Sequence, residues 1–265
     1  MTVGGATYNA VDIGSAPYGL IVEKRRVGLL PTSRDRAMLV PGRPGSYDFG
    51  ADLGERQIEI DGFINQVNNV NLEAAVPAIA ALFDPTNDVA GDRGFKQLIF
   101  DTLNDRYFLA RLAGSPVVER LVSTATVKLR LRCSDPFAYA LATAVVTTGA
   151  GVASIGVTLG GNYKVQPIIE LTAAGAFTGT VTVTHAASGL AVTWTGTLAL
   201  NDILKFDHTV YRVYLNGAVS MAGAGGTFFP LVMNNGAPVL NTLNVTGIAA
   251  GSITQLKVTT RSRWL

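Results

Sequence analysis

The sequence has few of the residues from which catalytic and metal sites are usually built. Among 265 residues there are one cysteine and two histidines. Cys133 has no second cysteine with which to form a disulfide, so nothing in the cysteine content indicates an oxidising compartment. His185 and His208 each lie in a strand-like segment without an acidic residue or cysteine at ligand spacing. We therefore expect both histidines to be structural.

Several well-known motifs are missing as well. The chain has no GxSxG, HExxH or Walker A sequence and no GxGxxG after a predicted strand. The glycine-rich segment Gly223–Thr227 has no lysine and no helix after it, so it is predicted to be a flexible loop. Asp84, Asn87, Asp88 and Asp92 are crowded together, but their spacing differs from that of an EF-hand and predicts a solvated turn. No set of residues combines a nucleophile, a base and a stabilising group, so neither an enzyme nor a bound cofactor or metal is expected.

Charge is sparse and almost balanced. Only 15% of the residues are charged and the net charge is +2, which favours neither nucleic acid, nor an anionic membrane surface, nor an acidic ligand as a partner. The first residues, MTVGGATYNAVDIG, contain neither a basic nor an apolar signal-peptide region. Two long uncharged runs, Pro136–Tyr163 and Leu171–Asn201, are interrupted by glycines, and threonine alternates with aliphatic residues in them. They are predicted to be half-buried strands of a soluble protein rather than membrane spans.

The charged residues are unevenly distributed along the chain. Residues 1–135 contain 31 of them and residues 136–265 contain nine. The chain is long enough for two domains. The change in charge density predicts a first domain over residues 1–140 and a second over residues 141–265.

The most regular pattern lies just before this junction. In TATVKLRLRC the apolar and polar residues alternate, which predicts a β-strand with one buried face. The buried face is predicted to carry Ala125, Val127, Leu129, Leu131 and Cys133. The opposite face carries Thr124 and Thr126 and a basic set, Lys128, Arg130 and Arg132. The basic set either is solvated or meets a partner, such as a neighbouring copy in a ring or the contents of a lumen. Asp135-Pro136 ends the strand, because proline cannot donate to the ladder.

Other strands are predicted in the first half from the same kind of pattern. They cover Leu20–Val27, Gln57–Ile64, Gln97–Phe100, Arg106–Leu112 and Val117–Cys133. Gly62 is expected to mark a bulge. Between Met38 and Leu53 the sequence is rich in glycine and proline, which predicts a long loop of the kind that often carries binding residues.

One helix is predicted, over Leu72–Phe83. Asn71 is its predicted N-cap, and Leu72, Val76, Ile79 and Phe83 fall on one face at helical spacing. Pro77 lies within this segment and predicts a kink or a start nearer Ala75.

The second half is predicted to be an all-β sandwich or jelly roll. About ten short strand-like segments follow one another, separated by turn sequences such as Asn216-Gly217. Its aromatic residues include Trp194, Tyr211, Tyr214 and Trp264. Stacking of Trp194 or Trp264 on a glycan is one interpretation, and packing in the core is the one we favour.

Several of these segments resemble the distal tail proteins of long-tailed, siphovirus-type bacteriophages. CSDPFAYA resembles the end of the family's N-terminal domain. VPGRPGSYDFGADLGERQIEIDGFI resembles its Pro-Gly-Arg-x-Gly loop and the strand after it, and KQLIFDTLNDRYFLARLAG resembles the element that follows the helix. The matching positions are Gly42, Arg43, Gly45, Asp48, Arg56, Ile58, Gly62, Asp135, Pro136 and Phe137.

The resemblance extends more loosely into the second half. NYKVQPIIELT, LNDILKFDHTVYRVYLNG and VTTRSRWL follow the order of the family's galectin-like C-terminal domain. The matching positions there are Pro167, Asp202, Asp207, Asn216, Gly217 and Arg263. The glycine-rich segment Ala218–Pro230 departs from the family pattern.

The resemblance implies a structural protein of the virion. Members of the family form a homohexameric ring at the tail tip, between the tail-tube protein and the tail hub protein, and DNA passes through the lumen. The first domain builds the ring, while the galectin-like second domain anchors receptor-binding or fibre proteins. Assembly is expected in the host cytoplasm, without a cofactor and without membrane insertion. The alternatives are a carbohydrate-binding module that uses Trp194 or Trp264, and a tail-tube protein.

Overall fold

The computed structural model describes residues 5–42, 44–86, 93–233 and 239–265. Arg43, Asn87, Asp88 and Asp92, which the sequence motifs singled out, lie outside these ranges. The chain divides into two compact units, Met1–Leu141 with Leu265, and Ala142–Trp264. Both units are built mainly of antiparallel strands and the first contains one α-helix, so the predicted fold class is confirmed.

The first unit contains eleven strands and one helix in its described residues. In chain order they are β1 Ala6–Tyr8, β2 Val11–Asp12, β3 Leu20–Val27, β4 Ser33–Leu39, β5 Ser46–Leu53, β6 Arg56–Asn65, α1 Asn69–Phe83, β7 Lys96–Phe100, β8 Arg106–Leu112, β9 Val117–Arg120, β10 Thr124–Cys133 and β11 Ala138–Ala140. A short 3-10 turn, Asp101–Leu103, joins β7 to β8.

Nine of these strands form one antiparallel sheet. The strand order is β2-β1-β7-β8-β10-β6-β3, with β9 paired to β10 and β11 paired to β8. β6 and β10 pair along ten residues, from Arg56 opposite Cys133 to Asn65 opposite Thr124. β8 and β10 join the two groups of strands through two residue pairs.

Alternation along β10 and β6 places one face of each strand in the core. On β10 the burial alternates as predicted, with Val127, Leu129 and Leu131 buried and the basic residues on the other face. The predicted bulge lies opposite Gly62: β3 carries one extra residue between Val22 and Lys24. A Cβ on Gly62 would lie 2.5 Å from the carbonyl oxygen of Ile21, so only glycine allows β3 to approach this closely.

Helix α1 begins three residues earlier than predicted. The side chain of Asn68, not of Asn71, is the N-cap, and it accepts a 2.9 Å hydrogen bond from the backbone N–H of Asn71. Pro77 lies within the helix at an exposed position, so the predicted start near Ala75 is wrong. The helix buries Leu72, Ala75, Ile79 and Phe83. Within the described residues, no helix is long and apolar enough to cross a membrane.

The second unit contains twelve strands in its described residues. They are β12 Ala144–Thr147, β13 Ser154–Thr158, β14 Ile168–Ala173, β15 Phe177–His185, β16 Ala191–Leu198, β17 Ile203–Asp207, β18 Arg212–Leu215, β19 Ala218–Val219, β20 Ala224–Gly226, β21 Leu240–Thr246, β22 Ile253–Thr260 and β23 Arg263–Trp264. A 3-10 turn, Ala250–Ser252, precedes β22.

Eleven of these strands, all except β23, form two sheets around a shared core, which is the predicted sandwich. One sheet has the order β12-β22-β14-β17-β18-β19 and the other β13-β21-β15-β16-β20. Leu171 and Phe206 from the first sheet belong to the same hydrophobic cluster as Val183 and Trp194 from the second. Asn216-Gly217 forms the predicted tight turn between β18 and β19, and both residues have a positive φ, 49° and 82°.

Three predictions about local structure are wrong. Val117–Cys133 is two strands, β9 and β10, because the chain reverses at residues 121–123, although no glycine or proline marks the turn. Met38–Leu53 is not a long loop, since most of it lies in the β4–β5 hairpin. Within Gly223–Thr227, Ala224–Gly226 is strand β20 and pairs with β16. There the glycines allow a close backbone approach to β16, which a side chain would block.

Candidate assembly surfaces

The exposed face of β3, β6 and β10 is covered by charged side chains of both signs. β10 contributes the predicted basic set, Lys128, Arg130 and Arg132. β6 contributes Glu59 and Asp61, because the same alternation that buries its isoleucines turns these acids outward. Antiparallel pairing places Lys128 opposite Asp61, and Arg130 opposite Glu59.

The two arginines of the basic set form ion pairs with acids of their own chain. Arg130 Nε lies 3.3 Å from Glu59 Oε1, and Arg132 Nε lies 2.5 Å from Glu55 Oε2. Arg26 on β3 binds the same acids, at 3.0 Å from Glu59 and 2.8 Å from Asp61. Acids of the same chain therefore pair with two of the three predicted bases, and a contact of this face with a neighbouring copy stays a prediction.

Such a face is a weak site for a small ligand. Part of it forms an open depression of about 190 Å³, which is smaller than the ~300–1,000 Å³ typical of ligand pockets. The ion pairs are exposed, and each contributes only about 0–1 kcal/mol. The face is thus a salt-sensitive surface of mixed charge and not a bare basic patch.

Arg56, one of the family-motif positions, lies buried at the hairpin end of β6. It is 4% exposed, and its Nε and Nη2 atoms have no hydrogen-bond partner among the described residues. Its guanidinium lies 5.9 Å from the centre of the Phe108 ring, and burial lowers its pKa. Cys133 stands opposite it in the ladder, and burial raises the pKa of that thiol to about 12. The cysteine is therefore unreactive at neutral pH.

The β4–β5 hairpin is the most exposed regular element of the first unit. Every residue of β4 is exposed, as are all those of β5 except Leu53. In the described part of the chain, the two strands pair with each other and with no other strand. A single two-stranded hairpin is marginally stable in water, so this element needs a partner surface to become well ordered.

Large apolar side chains cover the hairpin and its approach. Leu39 is 79% exposed and Phe49 is 64% exposed. Leu29, Leu30 and Met38 are exposed as well. Arg36 and Asp52 form an ion pair beside them. A concentration of exposed large hydrophobic residues marks an interaction surface, because in a monomer it would promote aggregation.

Three of the family-motif positions shape this hairpin. Gly42 and Gly45 lie in its turn with φ values of 80° and 84°, which glycine adopts without strain. The carboxylate of Asp48 accepts a 2.8 Å hydrogen bond from the N–H of Gly50. Arg43 lies outside the described residues. The motif that predicted a binding loop therefore encodes the turn and the first residues of β5.

The Asp135-Pro136-Phe137 motif forms the turn between β10 and β11. Asp135 accepts hydrogen bonds from the Phe137 N–H at 3.2 Å and from the Tyr139 hydroxyl at 2.5 Å. Pro136 is buried. These contacts give the motif a structural role in directing the chain out of β10.

In the second unit, the motif turn Asn216-Gly217 is also held by side-chain hydrogen bonds. The amide oxygen of Asn216 accepts from the N–H of Ile203 at 2.9 Å, and its amide nitrogen donates to Asp202 at 2.8 Å. Asp202 in turn accepts from the N–H of Ala199 at 2.7 Å, and these hydrogen bonds lower the pKa of its carboxyl group.

The tryptophans do not form an exposed stacking platform. Trp194 is 3% exposed, and its indole N–H donates a 3.0 Å hydrogen bond to the Ser220 hydroxyl. Trp264 is half-buried in β23. Since sugar stacking requires an open ring face, Trp194 cannot serve as one without unfolding.

Both histidines are buried in the second unit and flank Phe229. His185 has hydrogen-bond partners at both ring nitrogens, Ser188 at 2.8 Å and Asn241 at 3.0 Å. The ring of His208 lies 4.6 Å from that of Phe229, and neither of its nitrogens has a hydrogen-bond partner among the described residues. Burial lowers the pKa of His208 to about 4, although nearby backbone carbonyls favour its charged form. No cluster of three metal-ligating side chains occurs within the described ranges.

Comparison with known proteins relates this chain to phage tails. A family model described as a phage tail protein RIFT-related domain matches residues 16–133. No curated protein sequence matches the chain.

Solved structures give a fold match over the whole chain. The crystal structure of the Dit (gp 19.1) protein of phage SPP1 covers 100% of both chains with a TM-score of 0.76 and 14% identity. That protein is described as a paradigm of the hub adsorption apparatus in phages that infect Gram-positive bacteria. Two structures of the phage P2 baseplate cover 98% of both chains, with TM-scores of 0.40 and 0.38 and identities of 10% and 11%. The resemblance found in the sequence motifs is confirmed by the domain match and by the fold shared with SPP1 Dit.

Proposed function

Because residues 16–133 carry a phage tail domain, we propose that the protein is a structural component of the phage tail tip. In this role it is a distal tail protein that forms a ring between the tail-tube protein and the tail hub protein. The observation that carries the proposal is the exposure of the β4–β5 hairpin. Residues of the tail-protein motif form this hairpin, but almost all of its residues are exposed to solvent.

A ring forms if the exposed hairpin of each copy binds to the next copy. A hairpin that docks on a different surface of the next copy makes a heterologous contact, and repetition of this contact about an axis closes a ring. The number of six copies comes from the family resemblance. The face of mixed charge on β3, β6 and β10 is compatible with a face of this ring that meets water or passing DNA.

The second unit has a different role in this proposal. Its core is complete in the sandwich, so it does not need the ring in order to fold. We assign it the anchoring of receptor-binding or fibre proteins, at the periphery of a virion tail tip assembled in the host cytoplasm. A structural rather than an enzymatic role agrees with the buried histidines and the unreactive cysteine.

The proposal is tested by the mass and shape of the purified full chain. We expect rings with a central hole in negative-stain images and a mass several times that of the 27.8 kDa chain by light scattering. A Leu39→Glu/Phe49→Glu variant is expected to remain folded but monomeric, because each charge would be buried in the contact. The matched control, Leu200→Glu/Val219→Glu, changes two exposed residues of the second unit and is expected to assemble normally. A wild-type chain that stays monomeric at all accessible concentrations would contradict the proposal.

A further inference from the structure

A second exposed apolar surface lies at the far end of the same sheet. Four aliphatic residues compose it: Val67, Val70, Leu121 and Val122, which we call the aliphatic tip. Their exposed fractions lie between 65% and 90%. Few surface positions of the described chain expose aliphatic residues to this degree.

The four residues lie on two adjoining segments, one of which includes the first turn of α1. Val67 and Val70 belong to the connection from β6 into α1, while Leu121 and Val122 belong to the turn between β9 and β10. The N–H of Gln66 donates a 3.4 Å hydrogen bond to the carbonyl of Ser123, directly beside the tip. An ion pair of 2.5 Å between Arg120 and Glu73 ties the turn to the helix.

Local structure does not explain the aliphatic character of the tip. The N–H of Leu121 bonds to the carbonyl of Thr124 at 2.8 Å, so Leu121-Val122 occupies a tight turn. Glycine, asparagine and aspartate favour such turns, whereas a β-branched valine adds no stability there. Val70 lies in the first turn of α1 and points away from the buried face. The exposed side chains therefore suit an intermolecular contact rather than the fold.

The tip and the hairpin are at opposite ends of the sheet. β6 begins at Arg56, directly after the hairpin, and ends at Asn65, directly before the tip. β10 runs antiparallel to it from the tip to Cys133. Ten strand residues at about 3.3 Å each separate the two apolar surfaces by roughly 30 Å.

We propose that the aliphatic tip binds the β4–β5 hairpin of a second copy of this chain, head to tail. The inference rests on the proposed self-assembly and names the surface that receives the hairpin. A head-to-tail contact covers both apolar surfaces with one interface, whereas hairpin-to-hairpin pairing would leave every tip in water. The charged residues beside each surface are paired within the chain, Arg120 with Glu73 and Arg36 with Asp52, so the contact brings no unbalanced charge into its apolar centre.

The test uses two full-length variants that each lose one half of the contact. The tip variant is Val67→Glu/Val122→Glu, and the hairpin variant is Leu39→Glu/Phe49→Glu. Each alone is expected to be monomeric. An equal mixture is expected to form a one-to-one complex of twice the 27.8 kDa chain mass that grows no further, because the intact hairpin of the first variant meets the intact tip of the second. Sedimentation velocity measures all three samples, and circular dichroism confirms that each variant is folded.

Each other result contradicts the inference. If the tip variant assembles like the wild type while the hairpin variant does not, the hairpin binds elsewhere and the tip faces another protein; the proposed function then survives. If the tip variant alone forms dimers and the mixture forms no mixed complex, the hairpins pair with each other. If the wild type itself never assembles, the proposed function fails, and this contact fails with it. A variant that unfolds is replaced by the milder pair Val67→Ser/Val122→Ser, for which at least a tenfold weaker assembly is expected.

Discussion

Arg130 and Glu59 face each other across two neighbouring strands, with 3.3 Å between the guanidinium Nε and a carboxylate oxygen. Glu59 also binds Arg26 at 3.0 Å, so one carboxylate contacts two guanidinium groups. Two of the three bases singled out in the sequence, Arg130 and Arg132, thus have acidic partners within their own unit.

Glu59→Gln tests this assignment. The variant loses two exposed ion pairs, and we expect it to destabilise the chain by about 0.5–1 kcal/mol at low salt and by less at 0.5 M salt, where screening weakens the wild-type pairs. Urea denaturation at two salt concentrations measures the difference. Ring assembly should be retained. Complete loss of assembly with unchanged stability would show instead that Glu59 binds a neighbouring copy.

His208 should make the stability of the second unit depend on pH. Its pKa is lowered to about 4 in the folded chain, against about 6.5 for an unperturbed histidine. The unfolded chain therefore binds a proton that the folded chain excludes, so the contribution is complete above pH 6.5 and is lost as the pH falls towards 4. The loss is on the order of 3 kcal/mol over this window.

A His208→Leu variant isolates this effect from the titration of carboxylates. Urea midpoints are measured for both proteins from pH 7 to pH 4.5. The wild type should lose stability relative to the variant as the pH falls, because the variant has no histidine to protonate at this position. Parallel curves for the two proteins would mean that the pKa of His208 is the same in the folded and the unfolded chain.

The turn between β1 and β2 contains a strained residue. Ala10 has a φ of 62° and follows Asn9, which has a φ of 52°. A left-handed conformation costs an alanine about 1 kcal/mol, which glycine avoids. Ala10→Gly is therefore expected to raise the free energy of unfolding by up to about 1 kcal/mol. Ala80→Gly, at an exposed position of α1, is the control and should lower it by about 1 kcal/mol. An equal decrease in the free energy of unfolding in both variants would show that Ala10 is not strained.

The junction between the two units should be the first site of proteolysis. Residues 141–143 are exposed and lie between β11 and β12, and exposed segments without regular structure are cut preferentially. Brief elastase digestion is expected to release two fragments of nearly equal mass, identified by mass spectrometry. A first cut inside β6 to β8 with an intact junction would contradict the proposed boundary at residues 140–141.

The sequence predicted those elements whose burial repeats every second residue. The bounds of β3 and β8 agree with the prediction, and β6 and β10 were found because isoleucine, valine and leucine alternate with polar residues. The helix start was misplaced because NNVN offers several asparagines, and only the backbone geometry selects Asn68 as the cap.

The assembly surfaces were harder to predict, for physical reasons. The β4–β5 hairpin buries neither face, so its sequence has no alternation of apolar and polar residues. Its Pro-Gly turn therefore predicted a loop. Three of the four residues of the aliphatic tip lie outside helices and strands, where no periodicity exists, and Val70 lies in the first turn of α1. The sequence does indicate that Glu59 and Asp61 share a face, because they alternate with isoleucines in QIEID. Recognising that they stand opposite Arg130 and Lys128 required the register of β6 against β10.

The hairpin is inserted between two strands that are themselves neighbours. β3 and β6 pair from Leu20 opposite Ile64 to Val27 opposite Ile58, and the base is closed by a 2.6 Å hydrogen bond from the Gly54 N–H to the Thr32 carbonyl. The sheet therefore constrains only the two ends of the insert. Substitutions, extensions or exchanges within residues 33–53 should therefore leave the register of β3 against β6 untouched, so the length and side chains of the hairpin can be changed without altering the sheet beneath it.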